Sequence, residues 1–297
     1  MQLAKITWPQ KHLTKDSEVR DAASFDPESD REKILFLHGM GGTASLWRPI
    51  AAMLEEKFDV MALDQRGHGK SQVLSTSGGR DRPGYTPLDY GQDVVETLTK
   101  EKFHPCFVVG HSMGVRTAVA FAYLNPALVK GLVLVDLGLS GPAGGGMGNR
   151  LGDFLKNLPL EFSSRSDARD QIMRDCPDES IGQYLLAVSV KDAEGRITFP
   201  FDRSALLETI AAARDASVRD WALSLAAPKG DSPGMSILFL RGGTSHVWSH
   251  ADFLVEQNLF KKYPSAVFEE MPGAGHGLPF EKRAEFVARI QRFFNSK

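Results

Sequence analysis

The pentapeptide Gly110-His111-Ser112-Met113-Gly114 sets a serine between the short apolar run Cys106 to Val109 and the alanine-rich stretch Val115 to Leu124. Val115, Val119 and Ala122 recur in that stretch at helical spacing, so the order reads strand, sharp turn, helix. A side chain thrust out of so tight a turn crowds its neighbours, and glycine tolerates both the crowding and a positive φ. Ser112 is therefore the candidate nucleophile. The helix behind it aims backbone N–H groups and the positive end of its dipole at the same point, which suits a developing oxyanion. The plain alternative is a serine that caps an ordinary helix.

A serine hydroxyl needs a base to take its proton and a third group to orient that base. Of the eight histidines, His276 in Gly273-Ala274-Gly275-His276-Gly277 follows the last apolar run, where a flexible loop can present an imidazole at the carboxyl edge of a sheet. His12, His104 and His250 read as surface residues, and His111, adjacent to Ser112, as structural. For the orienting acid, Asp136 ends the run Leu132 to Val135 and would hold the tautomer that leaves the other imidazole nitrogen free. Asp252, in a later helical stretch, is the competing acid, and Asp136 has an alternative as a cap of the turn that follows it. In His38-Gly39-Met40-Gly41-Gly42 the glycines let backbone approach a substrate oxygen, so the N–H groups of Met40 and Met113 are the expected oxyanion hole. Asp64-Gln65-Arg66-Gly67-His68-Gly69 reads as a supporting turn.

Elements that could carry these residues follow from the pattern. Apolar runs at Ile34 to Leu37, Val60 to Leu63, Cys106 to Val109, Leu132 to Val135, Ile237 to Leu240 and Ala266 to Phe268 predict strands of a mainly parallel sheet. Leu46 to Phe58, Tyr90 to Leu98, Val115 to Leu124, Phe253 to Phe260 and Glu281 to Phe294 alternate with them as predicted helices on both faces. Leu3 to Trp8 suggests an antiparallel edge strand, and Lys11 to Asp30 shows no pattern. The rhythm stops after Asp136. An all-helical insertion is expected over 138–227, dividing a core into 1–137 and 228–297. It opens on a glycine-rich stretch, Gly138 to Gly148, that reads as a linker with a possible hinge, and Asn149 breaks the phosphate-binding pattern there. Leu151, Phe154 and Leu155 of the insertion are candidate substrate contacts.

Composition narrows the partners. The 297 residues carry 35 basic and 37 acidic side chains, a formal net charge of -2, which points to a small-molecule acyl substrate rather than nucleic acid. Two cysteines give neither a disulfide framework nor metal-ligand spacing, no metal or cofactor is implied, and neither a signal sequence nor a membrane span is apparent. A cytoplasmic protein is expected. One rival reading remains: Gly39-x-Gly41-x-x-Ala44 after a strand, with Asp64 at the end of the next, also fits a dinucleotide-binding fingerprint and would make an oxidoreductase.

Taken together, the His38-Gly39 loop, the Asp64 to Gly69 turn, the Ser112 pentapeptide and the His276 loop resemble the α/β-hydrolase superfamily over nearly the whole chain. The resemblance implies the α/β-hydrolase fold with a helical cap inserted at 138–227, and hydrolysis of esters or thioesters through an acyl-enzyme. Amides and C–C bonds are the alternatives on the same triad. Most members would carry the acid in the loop after Ile237 to Leu240, which here reads Arg241 to Val247 without a carboxylate. Asp136 matches the variant in which some small esterases place it after the preceding core strand.

Overall fold

The computed structural model describes residues 1–8, 29–71, 84–139, 146–213, 217–230 and 233–296. Along the chain run β1 (Lys5–Trp8), β2 (Glu32–Leu37), α1 (Arg48–Ala51), β3 (Phe58–Leu63), α2 (Pro87–Glu101), β4 (Cys106–His111), α3 (Met113–Leu124) and β5 (Val129–Val135). The segment after β5 holds α4 (Gly146–Asn157), β6 (Glu161–Phe162), α5 (Arg165–Asp175), α6 (Glu179–Val188), β7 (Val190–Lys191), β8 (Ile197–Thr198), α7 (Arg203–Ala212) and α8 (Ser217–Ala226). The chain then returns through β9 (Ser236–Gly242), α9 (His250–Phe260), β10 (Ala266–Met271), α10 (Leu278–Glu281) and α11 (Arg283–Asn295).

Seven strands form one sheet in the order β1-β3-β2-β4-β5-β9-β10, parallel throughout except for β1, which pairs antiparallel with β3. Both faces are covered, so β3 and β4 are buried at every position and show no polar alternation. The two-residue period still sorts the side chains. Leu35, Leu37, Met61, Leu63, Val108, Leu132 and Leu134 pack against α2, α3, α8 and α9 on one face. Ile34, Phe36, Val60, Ala62, Val109, Val133 and Val135 meet α1 and α11 on the other. Parallel strands end at the same edge, and the strand order reverses between β2 and β4, which opens a crevice at their carboxyl ends.

Three expectations need correction. Leu46 to Phe58 is not one helix: a turn of 3-10 helix (Ala44–Trp47), the four residues of α1 and a run of tight turns replace it. Trp47, Ile50, Ala51, Leu54 and Phe58 nonetheless all point into the core, so the periodicity found the buried face but not the helix type. The insertion is not all helical, because β6, β8 and β7 form a small antiparallel sheet. Strands of two residues are too short to leave a period in the sequence. Helix α8, read from sequence as part of the insertion, buries Val218, Ala222, Leu225 and Ala226 in the core cluster beside α3. The start of the glycine-rich stretch at Gly138 is described, but Gly141, Gly144 and Gly145 lie outside the described residues, as does most of the unpatterned Lys11 to Asp30.

Candidate active site

Ser112 sits between β4 and α3 with φ 53° and ψ -121°, a conformation that L residues seldom adopt. Its glycine neighbours allow it. A Cβ on Gly110 would lie 2.3 Å from the carbonyl oxygen of Gly114, and one on Gly114 would lie 2.4 Å from that of Leu37. Neither position has room for any side chain. Asp136, the residue after β5, also has positive φ, 52°, and its carboxylate is fully buried. Strain of this kind costs on the order of 1–3 kcal/mol per residue and persists only where the surroundings enforce it.

The loop after β10 brings His276 to both. Its Nε2 is 3.0 Å from Ser112 Oγ, and its Nδ1 is 2.8 Å from Asp136 Oδ2. A carboxylate accepts only, so Nδ1 carries the hydrogen and Nε2 presents its lone pair to the serine hydroxyl. The carboxylate is itself held. Gly242 N–H donates to Oδ1 at 2.8 Å, and the Ser245 hydroxyl donates to Oδ2. Both donors come from the end of β9 and the loop after it. Arg241, buried, spans that loop through Trp248 O at 2.7 Å and Ser245 O at 3.1 Å, and pairs with Glu270.

The turn after β2 lies across the crevice. Gly41 N–H donates to His68 Nε2 at 3.0 Å, and Gln65 N–H to His38 Nε2 at 3.0 Å, so both imidazoles carry their hydrogen on Nδ1. His38 Nδ1–H donates to Gly39 O at 2.8 Å, which also accepts Gly42 N–H at 3.0 Å and the Tyr184 hydroxyl at 3.4 Å. In a trans peptide the N–H points opposite the C=O, so anchoring Gly39 O on three donors fixes the direction of Met40 N–H. Burial holds His38 down at about 4 and His68 at about 3, which keeps both neutral.

Met40, Ser112, Met113 and His276 share a cavity of about 330 Å³. Leu137, Leu151, Ile181, Ile210, Val247 and Val255 make most of its wall apolar, with His111, Arg116, Tyr184, Thr209, Asp252 and Glu256 among the polar exceptions. A family model described as the alpha/beta hydrolase family matches residues 34–290. The chain belongs to the alpha/beta hydrolase family. Among its relatives, the zebrafish (Danio rerio) sn-1-specific diacylglycerol lipase ABHD11 is 27% identical over 280 residues, covering 91% of this chain and 80% of the relative. A solved marine microorganism esterase superposes with a TM-score of 0.70 at 21% identity, covering 98% of this chain and 99% of its own. The crystal structure of E-2-(acetamidomethylene)succinate hydrolase gives 0.72 at 20% identity, covering 89% and 91%.

In this alpha/beta hydrolase the other sequence candidates fall elsewhere. Asp252 borders the cavity, but it closes the first turn of α9: Ser249 Oγ–H donates to its carboxylate at 2.6 Å, and its N–H donates back to Ser249 Oγ at 3.1 Å. Of the proposed substrate contacts only Leu151 lines the cavity. Phe154 and Leu155 lie on the face of α4 that packs into the insertion's own cluster with Leu158, Phe162 and Leu185, which corrects that assignment. The dinucleotide reading gains no support, because Asp64 accepts Ala44 N–H at 2.7 Å on one oxygen and Lys70 N–H at 2.9 Å on the other. The carboxylate is buried and serves as a brace for its own turn. Sequence reasoning missed Ser245, since a lone serine in a loop carries no signal until the fold aims it at a buried carboxylate, and missed Tyr184, which reaches the site from α6.

Proposed function

We propose that the protein is a serine hydrolase that cleaves carboxylic esters or thioesters of small to medium acyl groups through an acyl-enzyme. One observation carries this reading: the unbroken hydrogen-bond chain from Ser112 Oγ through both nitrogens of His276 to Asp136. His276 Nε2 takes the hydroxyl proton as Oγ bonds to the acyl carbon, while Asp136 stabilises the imidazolium. The oxyanion is received by the N–H groups of Met40 and Met113. His276 passes its proton to the departing alcohol or thiol, then deprotonates a water that attacks the acyl carbon; the bond to Ser112 Oγ breaks, His276 returns the proton to Oγ, and the acid leaves.

Several features support the substrate class. The cavity is mostly apolar, and its volume stands near the lower end of the 300–1,000 Å³ typical of ligand pockets, suiting short or medium chains. The names of the relatives, a diacylglycerol lipase and an esterase, agree with an ester bond. Residues 146–213 act as a cap over the site, with α8 returning to the core. Among the described residues no helix is long and apolar enough to cross a membrane. A panel of p-nitrophenyl esters, acyl-thioesters and peptide amides tests the reading. Saturable hydrolysis of esters or thioesters, lost in a folded Ser112→Ala variant, is expected. Turnover that survives Ser112→Ala, or activity confined to amides, contradicts it.

A further inference from the structure

Outside the hydrogen-bond chain itself, one buried imidazole touches the site without a place in the mechanism. His111 is the last residue of β4 and is 1% exposed. Its Nε2 lies 2.8 Å from the carbonyl oxygen of His276, and its ring centroid is 4.8 Å from that of His276. The ring of Phe280 stands perpendicular to that of His111, with centroids 5.7 Å apart. A carbonyl can only accept, so Nε2 carries the hydrogen and Nδ1 is bare, the reverse of the tautomer at His38 and His68. Nδ1 is buried without a partner among the described residues and faces Gly39, where a Cβ would come within 3.1 Å of it.

We propose that His111 is the positioning residue of the general base: its Nε2–H, bonded to His276 O, fixes the imidazole of His276 against Ser112. The inference rests on the serine-hydrolase reading above. The geometry closes a ring. Ser112 and His111 are covalent neighbours, and each bonds a different part of residue 276, the side chain for Ser112 and the main chain for His111. Ser112 and Asp136 hold the two ring nitrogens, and the His111 bond adds a third attachment on the main chain that fixes where the ring is rooted.

The loop that carries His276 needs such a strut. Gly273, Gly275 and Gly277 offer no side chains to pack, and Gly273 has φ 67°. The other anchors hold its flanks: Thr244 N–H and Oγ1–H donate to Ala274 O at 2.9 Å each, and Glu281 accepts Gly275 N–H at 2.6 Å and Gly277 N–H at 3.1 Å. The carbonyl of the base itself is held by His111. Burial pushes the His111 pKa down to about 3, so the ring stays neutral and sets no like charge against the imidazolium that forms beside it.

The full-length protein gives the test in two arms. Nitrogen-15 NMR of the histidines, which needs no variant and no turnover, should find His111 protonated on Nε2 and bare on Nδ1. In the second arm, His111→Phe keeps a ring without the donor, His111→Leu removes both, and His111→Gln restores an N–H near the place of Nε2. With p-nitrophenyl butyrate, Phe and Leu variants should lose about 10- to 100-fold in kcat with KM little changed, the loss expected of a base displaced by a fraction of an ångström to an ångström. Gln should recover most of that loss. The downfield proton resonance of His276 Nδ1–H should broaden in the Phe and Leu variants and persist in Gln, a readout that loss of packing alone would not produce. A His111 found protonated on Nδ1, folded Phe or Leu variants with undiminished kcat and an unchanged resonance, or a Gln variant as slow as Phe would each overturn the proposal. Absence of any ester hydrolysis by the wild type would instead strike the serine-hydrolase reading, with the tautomer arm still deciding the hydrogen bond.

Discussion

The carboxyl edge of the sheet and the inserted segment above it are built on different terms. At the edge, backbone dictates: Gly110 and Gly114 admit no side chain, Ser112 and Asp136 hold positive φ, and buried donors take both oxygens of Asp136. The insertion holds together through a cluster of its own, with Phe154, Leu155, Leu158, Phe162, Ile172, Leu185 and Leu206 at its centre. Its ties to the core include Gly69 N–H to Pro200 O at 2.7 Å, Asp202 N–H to Gly67 O at 2.8 Å, and the Tyr90 hydroxyl to Thr209 Oγ1 at 2.7 Å. The contrast separates two tasks. Positions that tolerate one residue type set the reacting atoms, and side chains that can be exchanged without breaking a turn shape the space for the substrate.

Substitutions at the two regions should therefore fail in different ways. The largest effect belongs to the edge: Asp136→Asn or His276→Ala should lower kcat by about 10³- to 10⁴-fold with modest change in KM, as loss of the oriented base does elsewhere. Asp252→Asn should cost far less, and the opposite ranking in steady-state kinetics would move the acid to α9. Ser245→Ala removes one hydrogen bond to a buried charge and should lower kcat by about 10- to 100-fold, in line with the roughly 1.5–3 kcal/mol such bonds contribute. A larger loss than for Asp136→Asn would make the serine more than a support.

In the insertion, Leu151→Trp fills part of the cavity wall. It should cut kcat/KM for octanoyl esters by about tenfold or more while sparing acetyl esters, because each methylene in an apolar pocket is worth about 1–3 kcal/mol. Equal losses across the chain-length series would mean that the insertion also sets the chemistry.

An effect of a different kind, on stability rather than turnover, comes from the buried imidazoles. His38, His68 and His111, all in the core, are held by burial near 4, 3 and 3, against about 6.5 for a free imidazole, while residues 138–227 contain no histidine. Between pH 6.5 and 4 the unfolded chain binds protons that the folded core refuses, so stability is full above this window and falls as pH drops through it. Urea unfolding should show these residues contributing an uptake of about three protons near pH 5. A midpoint that stays flat from pH 7 to 4.5 would refute this account of the buried imidazoles.

Much of the edge was legible in the sequence because its constraints act over a few residues. Gly110 and Gly114 around a serine, glycines flanking His276, and Asp136 at the end of an apolar run are local patterns, and the structure brings Ser112, His276 and Asp136 into one hydrogen-bonded chain. The strands were legible for the same reason, since burial on both faces leaves unbroken apolar runs. What escaped depends on contacts distant in sequence. Ser245 meets Asp136 across 109 positions, and His111 meets His276 across 165. In the insertion, Phe154 and Leu151 lie three residues apart on one helix and touch the same cluster, yet only Leu151 also lines the cavity, and the packing of α4 decides which.

The central claim is that Ser112 becomes acylated with His276 as its base. Incubating the protein with a fluorophosphonate or a slow p-nitrophenyl ester, then mapping the adduct by peptide mass spectrometry, tests it directly. One adduct per chain on Ser112, formed far more slowly in His276→Ala and absent in Ser112→Ala, is the predicted result. An adduct on another residue, or an active enzyme that never carries one on Ser112, would contradict it.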